Sequence, residues 1–330
     1  MNIAVVILNW NGLELLKEFM PSVVKNSAQA TVYVVDNAST DESVAFLNKN
    51  FPGVKCIVNT TNKGYAGGYN EGLKSIDEDI YILLNNDVKV TKNWLLPIID
   101  CFEKRPEIAV VQPKILDYKN PQYFEYAGAA GGFIDKYGYP YCRGRIFNEL
   151  EIDHGQYDQD IEIFWASGAC LAVRQEVFRK AGEFDEDYFA HQEEIDLCWR
   201  IFNMSHKIWF CHKSQVFHLG GGTLNTQNPK KTFLNFRNSL YNILKNSGSK
   251  EFYSVLFLRL ILDGLACLKF LFSFQLEHIL AVLKAHTSFY SNFFKTKNKR
   301  NPKSVHRKYY KNKSIVIAYF IDKKKKFNEL

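Results

Sequence analysis

The sequence predicts an α/β protein built on a mostly parallel sheet, and three observations lead there. Between residues 3 and 112, short β-rich runs ("IAVVIL", "TVYVVD", "VKCIV", "IYILL", "IAVVQP") alternate with segments of helical period such as "LELLKEFMPSVVKN" and "DESVAFLNKN". The runs are apolar throughout, as strands are when helices cover both faces of a sheet. A length of 330 residues suffices for one large domain with an appendage.

The first strand exits into "NWNG" (Asn9 to Gly12), the second into "DNAST" (Asp36 to Thr40), and the fourth into Asn85, Asn86 and Asp87. In a doubly wound sheet of the nucleotide-binding type, ligands collect at the carboxyl ends of the strands. A carboxylate only accepts hydrogen bonds, so Asp36 suits the imino N–H of a pyrimidine base. Asp87 is expected to face the diphosphate of the same nucleotide. Phosphates and a carboxylate repel unless a cation lies between them, so Asp87 is expected to hold Mg²⁺ or Mn²⁺. Between these exits, "NKGYAGGYNEG" (62–72) is a Gly-rich turn into a helix, where backbone N–H groups approach a nucleotide closely.

Residues 113–160 lose periodicity and become rich in Gly and Tyr, which predicts a long loop or hairpin excursion. Next, "IFWASGACLAVR" (163–174) reads as a strand and "QEVFRKAG" as a short helix closed by Gly182. "EEIDLCWRIFN" (193–203) reads as a helix whose first turn carries Glu193, Glu194 and Asp196, where the macrodipole favours carboxylates. "KKTFLNFRNSLYNILKN" (230–246) is a further helix.

The net charge of +7 is concentrated after residue 294, which favours a local anionic surface over nucleic acid as the partner. The seven cysteines have no CxxC pair and suggest neither a disulfide framework nor a zinc site, and a reducing cytosol is expected. "MNIAVVILNW" reads as a first strand and not as a signal peptide. "FYSVLFLRLILDGLACLKFLFSF" (252–274) is long enough to span a bilayer but contains Arg259, Asp263 and Lys269. At roughly 2.5 to 3.5 kcal/mol per central charge, spanning is unfavourable. Arg259, Asp263, Ser273 and Glu277 share one arc of the helix, which predicts a helix lying in a membrane interface. Peripheral attachment to the cytoplasmic membrane follows, supported by the basic runs beyond residue 294.

The motifs "VVILNWNG", "VVDNASTD", "NKGYAGGYNEG", "LLNNDV", "WASGACLAVRQEVFRKAGEFDEDYF", "EEIDLCWR" and "FHLGGGT" occur in the order and at about the spacing of family 2 glycosyltransferases. Over residues 3 to 240 the chain resembles the bacterial rhamnosyltransferase-like branch of that family. The resemblance implies a GT-A fold with a catalytic domain at 1–240, an apolar helical extension at 241–294 and a basic tail at 295–330. It implies inverting transfer of rhamnose or another hexose from a dTDP- or UDP-sugar to a lipid-linked saccharide or surface polysaccharide, with a divalent cation.

Residue by residue, the resemblance puts the donor against Asn9, Asn11, Asp36, Asn37, Gly64, Tyr65, Asn70, Asn86, Trp165, Ser167 and Gly168, and the metal on Asp87 and His218. Its D-x-D motif reads Asn85-Asn86-Asp87 here, without the first aspartate. Its catalytic E-D pair reads Glu193-Glu194, so Glu194 takes the place of the base. The alternative reading is a nucleotide-sugar-binding protein of the same fold without turnover. A nucleotidyltransferase would need a basic, Gly-rich N-terminal loop that is missing.

Overall fold

The computed structural model describes residues 1–220, 228–301 and 307–330. β1 (Ile3–Asn9), α1 (Leu13–Asn26), β2 (Thr31–Asp36), α2 (Ser43–Asn50), β3 (Lys55–Val58), α3 (Gly64–Leu73) and β4 (Ile80–Asn85) form a four-stranded parallel part of the main sheet and its covering helices. β1 lies between β2 and β4, with Asn9 opposite Asp36 and Leu8 opposite Asn85. This register sets the three polar exits side by side.

β5 (Val88–Val90) is a short edge piece, followed by α4 (Leu95–Lys104) and β6 (Ile108–Asp117). After the second sheet described below come β11 (Ile161–Ile163), β12 (Cys170–Arg174), α5 (Gln175–Lys180), α6 (Glu193–Asn203) and β13 (Lys207–His218). The main sheet runs β11-β13-β6-β12-β4-β1-β2-β3, with β5 on β13. β12 enters antiparallel between β4 and β6, so the sheet is mixed at its centre. The predicted α/β class holds.

The segment 163–174, expected as one strand, contributes to two. β11 pairs with β13 near one edge of the sheet and β12 lies inside it. The backbone turns between them because Gln112 takes the Ser167 N–H and the Ser167 hydroxyl takes the Ala169 N–H. Residues 113–160 are also more ordered than a loop excursion: β7 (Gly132–Ile134), β8 (Pro140–Cys142), β9 (Arg145–Ile146) and β10 (Glu149–Leu150) form a second, antiparallel sheet. Phe124, Ala130 and Tyr141 are buried there.

α7 (Pro229–Asn246) starts at an Asn228 cap and leads to α8 (Ser249–Phe272), α9 (Leu276–Ser291) and α10 (Phe293–Asn298). α8 and α9 form a hairpin, and α9 packs on α7. No helix among the described residues is long and apolar enough to cross a membrane. The expected single arc divides: Arg259 and Asp263 of α8 turn inward and are buried, whereas Ser273 caps the end of α8 and Glu277 belongs to α9, both exposed, because the chain breaks between the two helices.

The residues expected as a basic tail fold back. Beyond 306 they include α11 (Ile315–Phe320), with Tyr309 packed on Trp199 and Phe327 on Phe133 and Tyr157. The Ile315 N–H donates to the buried Asp135 carboxylate. Part of the chain's 15% content of Phe, Trp and Tyr thus lies between the second sheet and this returning segment.

Candidate active site

The exits of β1, β2 and β4 are joined by a relay of side chains. Asn86 Nδ2 donates to Asn9 Oδ1 at 2.9 Å, and Asn9 Nδ2 donates to Asp36 Oδ1 at 3.1 Å. Asp36 also accepts the Ser39 hydroxyl and the Ser39 N–H, at 2.6 and 2.8 Å. Three of the roughly four acceptor positions of the buried Asp36 carboxylate are thus filled from within, leaving one on Oδ2. Asn11, in the left-handed region with φ 49°, clips the 36–40 turn by accepting the Thr40 N–H. Gly12 is required by crowding, since a Cβ there would lie 2.4 Å from both Asn86 Nδ2 and Asn9 Oδ1.

Several residues expected to touch a donor are committed to the scaffold. Asn37 donates to Asn62 and the Gly64 carbonyl and accepts from Asn59, which fastens the Gly-rich turn to β2. Gly64, at φ 71°, lets the Phe189 carbonyl come close, and the Tyr65 N–H donates to that carbonyl. The Tyr65 hydroxyl donates to the Gly168 carbonyl. Asn70 pairs through both ends of its amide with the Phe184 backbone. Ser167 is buried in the turn before β12.

Trp165 is a correction: its ring is buried, its indole N–H donates to the Phe133 carbonyl, and a Cβ on Gly132 would meet it at 2.2 Å. It ties the second sheet to the main one and offers no face to a sugar.

At the end of β4, Asp87 Oδ1 lies 3.1 Å from His218 Nε2, delivered by the last residue of β13. The other ring nitrogen, Nδ1, is 3.3 Å from Glu125 Oε1, off the hydrogen-bond direction, and has no aligned acceptor among the described residues. Burial opposes protonation of this imidazole, but the carboxylates of Glu125 and Asp87 outweigh it and push its pKa up to about 10.

These residues fit a divalent cation. Ligand atoms side by side on a metal at ~2.1 Å are about 3 Å apart, and metal-binding histidines usually have a carboxylate or carbonyl behind the second nitrogen. Glu125 restores some of the negative charge that Asn85 withholds. Of the "FHLGGGT" motif, Gly221, Gly222 and Thr223 lie outside the described residues.

α6 supplies the carboxyls. Phe189, His191 and Gln192 all have positive φ (64°, 68°, 69°), so the chain enters α6 through a constrained loop. α7 holds that loop: Asn238 Nδ2 donates to the carbonyls of Tyr188, Ala190 and His191. Asp196 is the structural acid of the turn, ion-paired with Lys245 and Arg200 and held well below the usual carboxylate range against the cost of its burial.

Glu193 is buried, with Oε2 unpartnered among the described residues, and burial, then Glu194, push its pKa well up. Glu194 is partly exposed and has no side-chain partner among the described residues. Burial raises its pKa to about 7, partly offset by backbone N–H groups of its own turn.

Sequence reasoning missed Glu125 and Asn238, which sit in segments without local signature, and Asn59, which follows β3 directly and carries the same strand-exit signal as the others. It also missed that Cys101, Asp160 and Cys211 converge, with ligand atoms within 4.8 Å of one another.

The model of the family described as Glycosyl transferase family 2 matches residues 4–182, more than half of the chain. A low-salt glycan biosynthesis hexosyltransferase of Haloferax volcanii is 23% identical, over 84% of this chain and 87% of its own length. An N-acetylglucosaminyl-diphospho-decaprenol L-rhamnosyltransferase of Mycobacterium tuberculosis is 24% identical, over 62% of this chain and 71% of its own. Among solved structures, a mannosyltransferase from Pyrobaculum calidifontis in complex with GDP-Man and Mn²⁺ superposes with a TM-score of 0.53. It is 13% identical, over 89% of this chain and 75% of that one.

Proposed function

This chain belongs to glycosyl transferase family 2 and has the GT-A fold, and we propose that it transfers rhamnose or another hexose, with inversion, from a dTDP- or UDP-sugar. The chain is a glycosyltransferase that uses a nucleotide sugar; the hexose, the acceptor and the stereochemistry are the proposal. The acceptor is a hydroxyl of a lipid-linked saccharide or surface polysaccharide, and the protein works peripherally at the cytoplasmic face of an anionic membrane. The activities named for the two relatives, a glycan hexosyltransferase and a diphospho-decaprenol rhamnosyltransferase, support the sugar and acceptor classes.

The observation that carries the reading is the division of labour among carboxyls at one end of the sheet. Asp87 is paired with a histidine, Asp196 is locked in ion pairs, and Glu194 is left without a side-chain partner among the described residues, at a pKa near neutrality. Glu194 accepts the proton of the acceptor hydroxyl as its oxygen bonds to the anomeric carbon. The bond from that carbon to the diphosphate oxygen breaks on the opposite face, and its electron pair leaves with the nucleoside diphosphate. Glu193, kept protonated by burial, adds no second charge beside the base. Asp87 and His218 would hold a Mg²⁺ or Mn²⁺ ion, which supplies charge stabilisation to the departing diphosphate. Asp36, with one free acceptor position, receives the base imino N–H, while Asn9 and Asn86 orient it.

The test is thermal stabilisation by UDP, dTDP, GDP and CDP, each with Mn²⁺ or EDTA, combined with release of nucleoside diphosphate from sugar donors. A metal-dependent shift with UDP or dTDP that disappears in Asp87→Ala is the expected result. Binding without any donor cleavage would instead establish a nucleotide-sugar-binding protein.

A further inference from the structure

We infer that the outer face of the α8–α9 hairpin, with α11 beside it, is the surface by which this protein lies on an anionic lipid leaflet. The inference rests on the peripheral reading above and gives it a location. Its basis is an inverted helix. A helix on a protein surface ordinarily turns its apolar stripe inward and its charges to water; α8 does the reverse.

Arg259 and Asp263 are each 1% exposed. The Arg259 guanidinium donates to the Ser239 hydroxyl at 2.8 Å and the Tyr137 carbonyl at 3.1 Å, and Asp263 accepts from the Tyr139 hydroxyl at 2.8 Å. His286 of α9 lies 3.0 Å from the same carboxylate. This network ties the polar arc of α8 to α7, α9 and the second sheet. What remains outside is Phe257, Ile261, Leu265, Phe272, Phe274 and Leu280, with Phe272 81% and Phe274 91% exposed at the tip of the hairpin. A contiguous apolar face of this kind marks an interaction site on a folded protein.

Two observations select a leaflet as the occupant. No described helix is long and apolar enough to cross a bilayer, so a hairpin pinned by its buried charges lies on a membrane and does not span it. The apolar face also has a basic border. Lys269 sits 5.2 Å over the Phe320 ring, which brings the end of α8 beside α11, where Ile321 is exposed and the Lys323–Lys326 run begins. Lys284 is exposed on α9. The exposed border carries Glu277 and Asp322 as well, but its lysines outnumber them, and an apolar centre with a net cationic rim matches acyl chains and anionic headgroups.

The same layer reaches the chemistry. α9 packs on α7, and α7 holds the loop that leads into Glu193 and Glu194. A protein seated on this face keeps its base at a fixed height above the headgroups, where a lipid-linked acceptor presents its hydroxyls.

The test is flotation of the full chain with phosphatidylglycerol vesicles and, separately, with phosphatidylcholine vesicles. Wild type is expected to float with the anionic vesicles, at least tenfold enriched over the neutral ones, and to lose that preference in high salt. The triple variant Leu265→Glu, Phe272→Glu, Phe274→Glu is expected to stay at the bottom while its UDP-dependent thermal shift is unchanged. Lys284→Glu with Lys323→Glu is expected to lose the anionic preference alone. Wild type at the bottom with both vesicles, or a triple variant that floats like wild type, overturns the inference. So does a wild-type dimer in light scattering that the triple variant makes monomeric, which would assign the face to a second copy. Flotation without any nucleotide shift would overturn the transferase reading and leave this one standing.

Discussion

Glu194 is a residue whose surroundings set its chemistry. A general base works in its ionised form, and a carboxyl with a pKa near 7 gains that form as pH rises through neutrality. Single-turnover transfer should therefore increase about tenfold per pH unit below the pKa and level off above it. Glu194→Gln should lower the turnover by at least ~10²-fold and flatten this profile, with the nucleotide-induced thermal shift preserved. At Gly12, alanine would push a methyl into the amide relay, and we expect Gly12→Ala to cost roughly 1–3 kcal/mol in urea unfolding and to weaken UDP binding. Asn9, Asp36 and Asp87 were legible in the sequence because a polar residue closing an apolar strand is a local signal, whereas His218 was singled out only through the resemblance of "FHLGGGT" to the family motif. Glu125 and the meeting of Cys101 with Cys211 were not, since both depend on segments that only the fold brings together.

Among the elements, α7 governs the loop before α6. Lys245 reaches both Asp185 and Asp196; Lys245 and Asp196 are buried and Asp185 is partly so. Lys245→Met should destabilise the protein by the low end of the roughly 3–5 kcal/mol lost when a buried pair is broken, because Arg200 and Lys299 still hold the two aspartates. Asn238→Ala removes three hydrogen bonds from the loop at Tyr188, Ala190 and His191. It should reduce kcat with little change in donor affinity, which steady-state kinetics can separate. Period and turn residues revealed α1, α2, α6 and the parallel strands. They failed at 163–174, where the break between β11 and β12 depends on Gln112, a residue some fifty positions away in the chain. They failed again at 132–150, where strands of two or three residues are too short to show alternation.

For the whole molecule, much of the aromatic packing joins segments far apart in the chain and takes its place only in three dimensions. Tyr309, Tyr319 and Phe327 return to cover Trp199, Phe147 and Phe133. Removing residues 307–330 should uncover this shelf and lower Tm by several degrees in calorimetry, which a solvated tail would not do. The mixed order of the main sheet also has a consequence for biosynthesis. β6 lies between β12 and β13, so its two edges are satisfied only after residues 170–174 and 207–218 have been made. The apolar hairpin is translated after both. At about 5–20 residues per second, the catalytic sheet has several seconds to close before the ribosome delivers a surface that would otherwise stick to its unfinished edges.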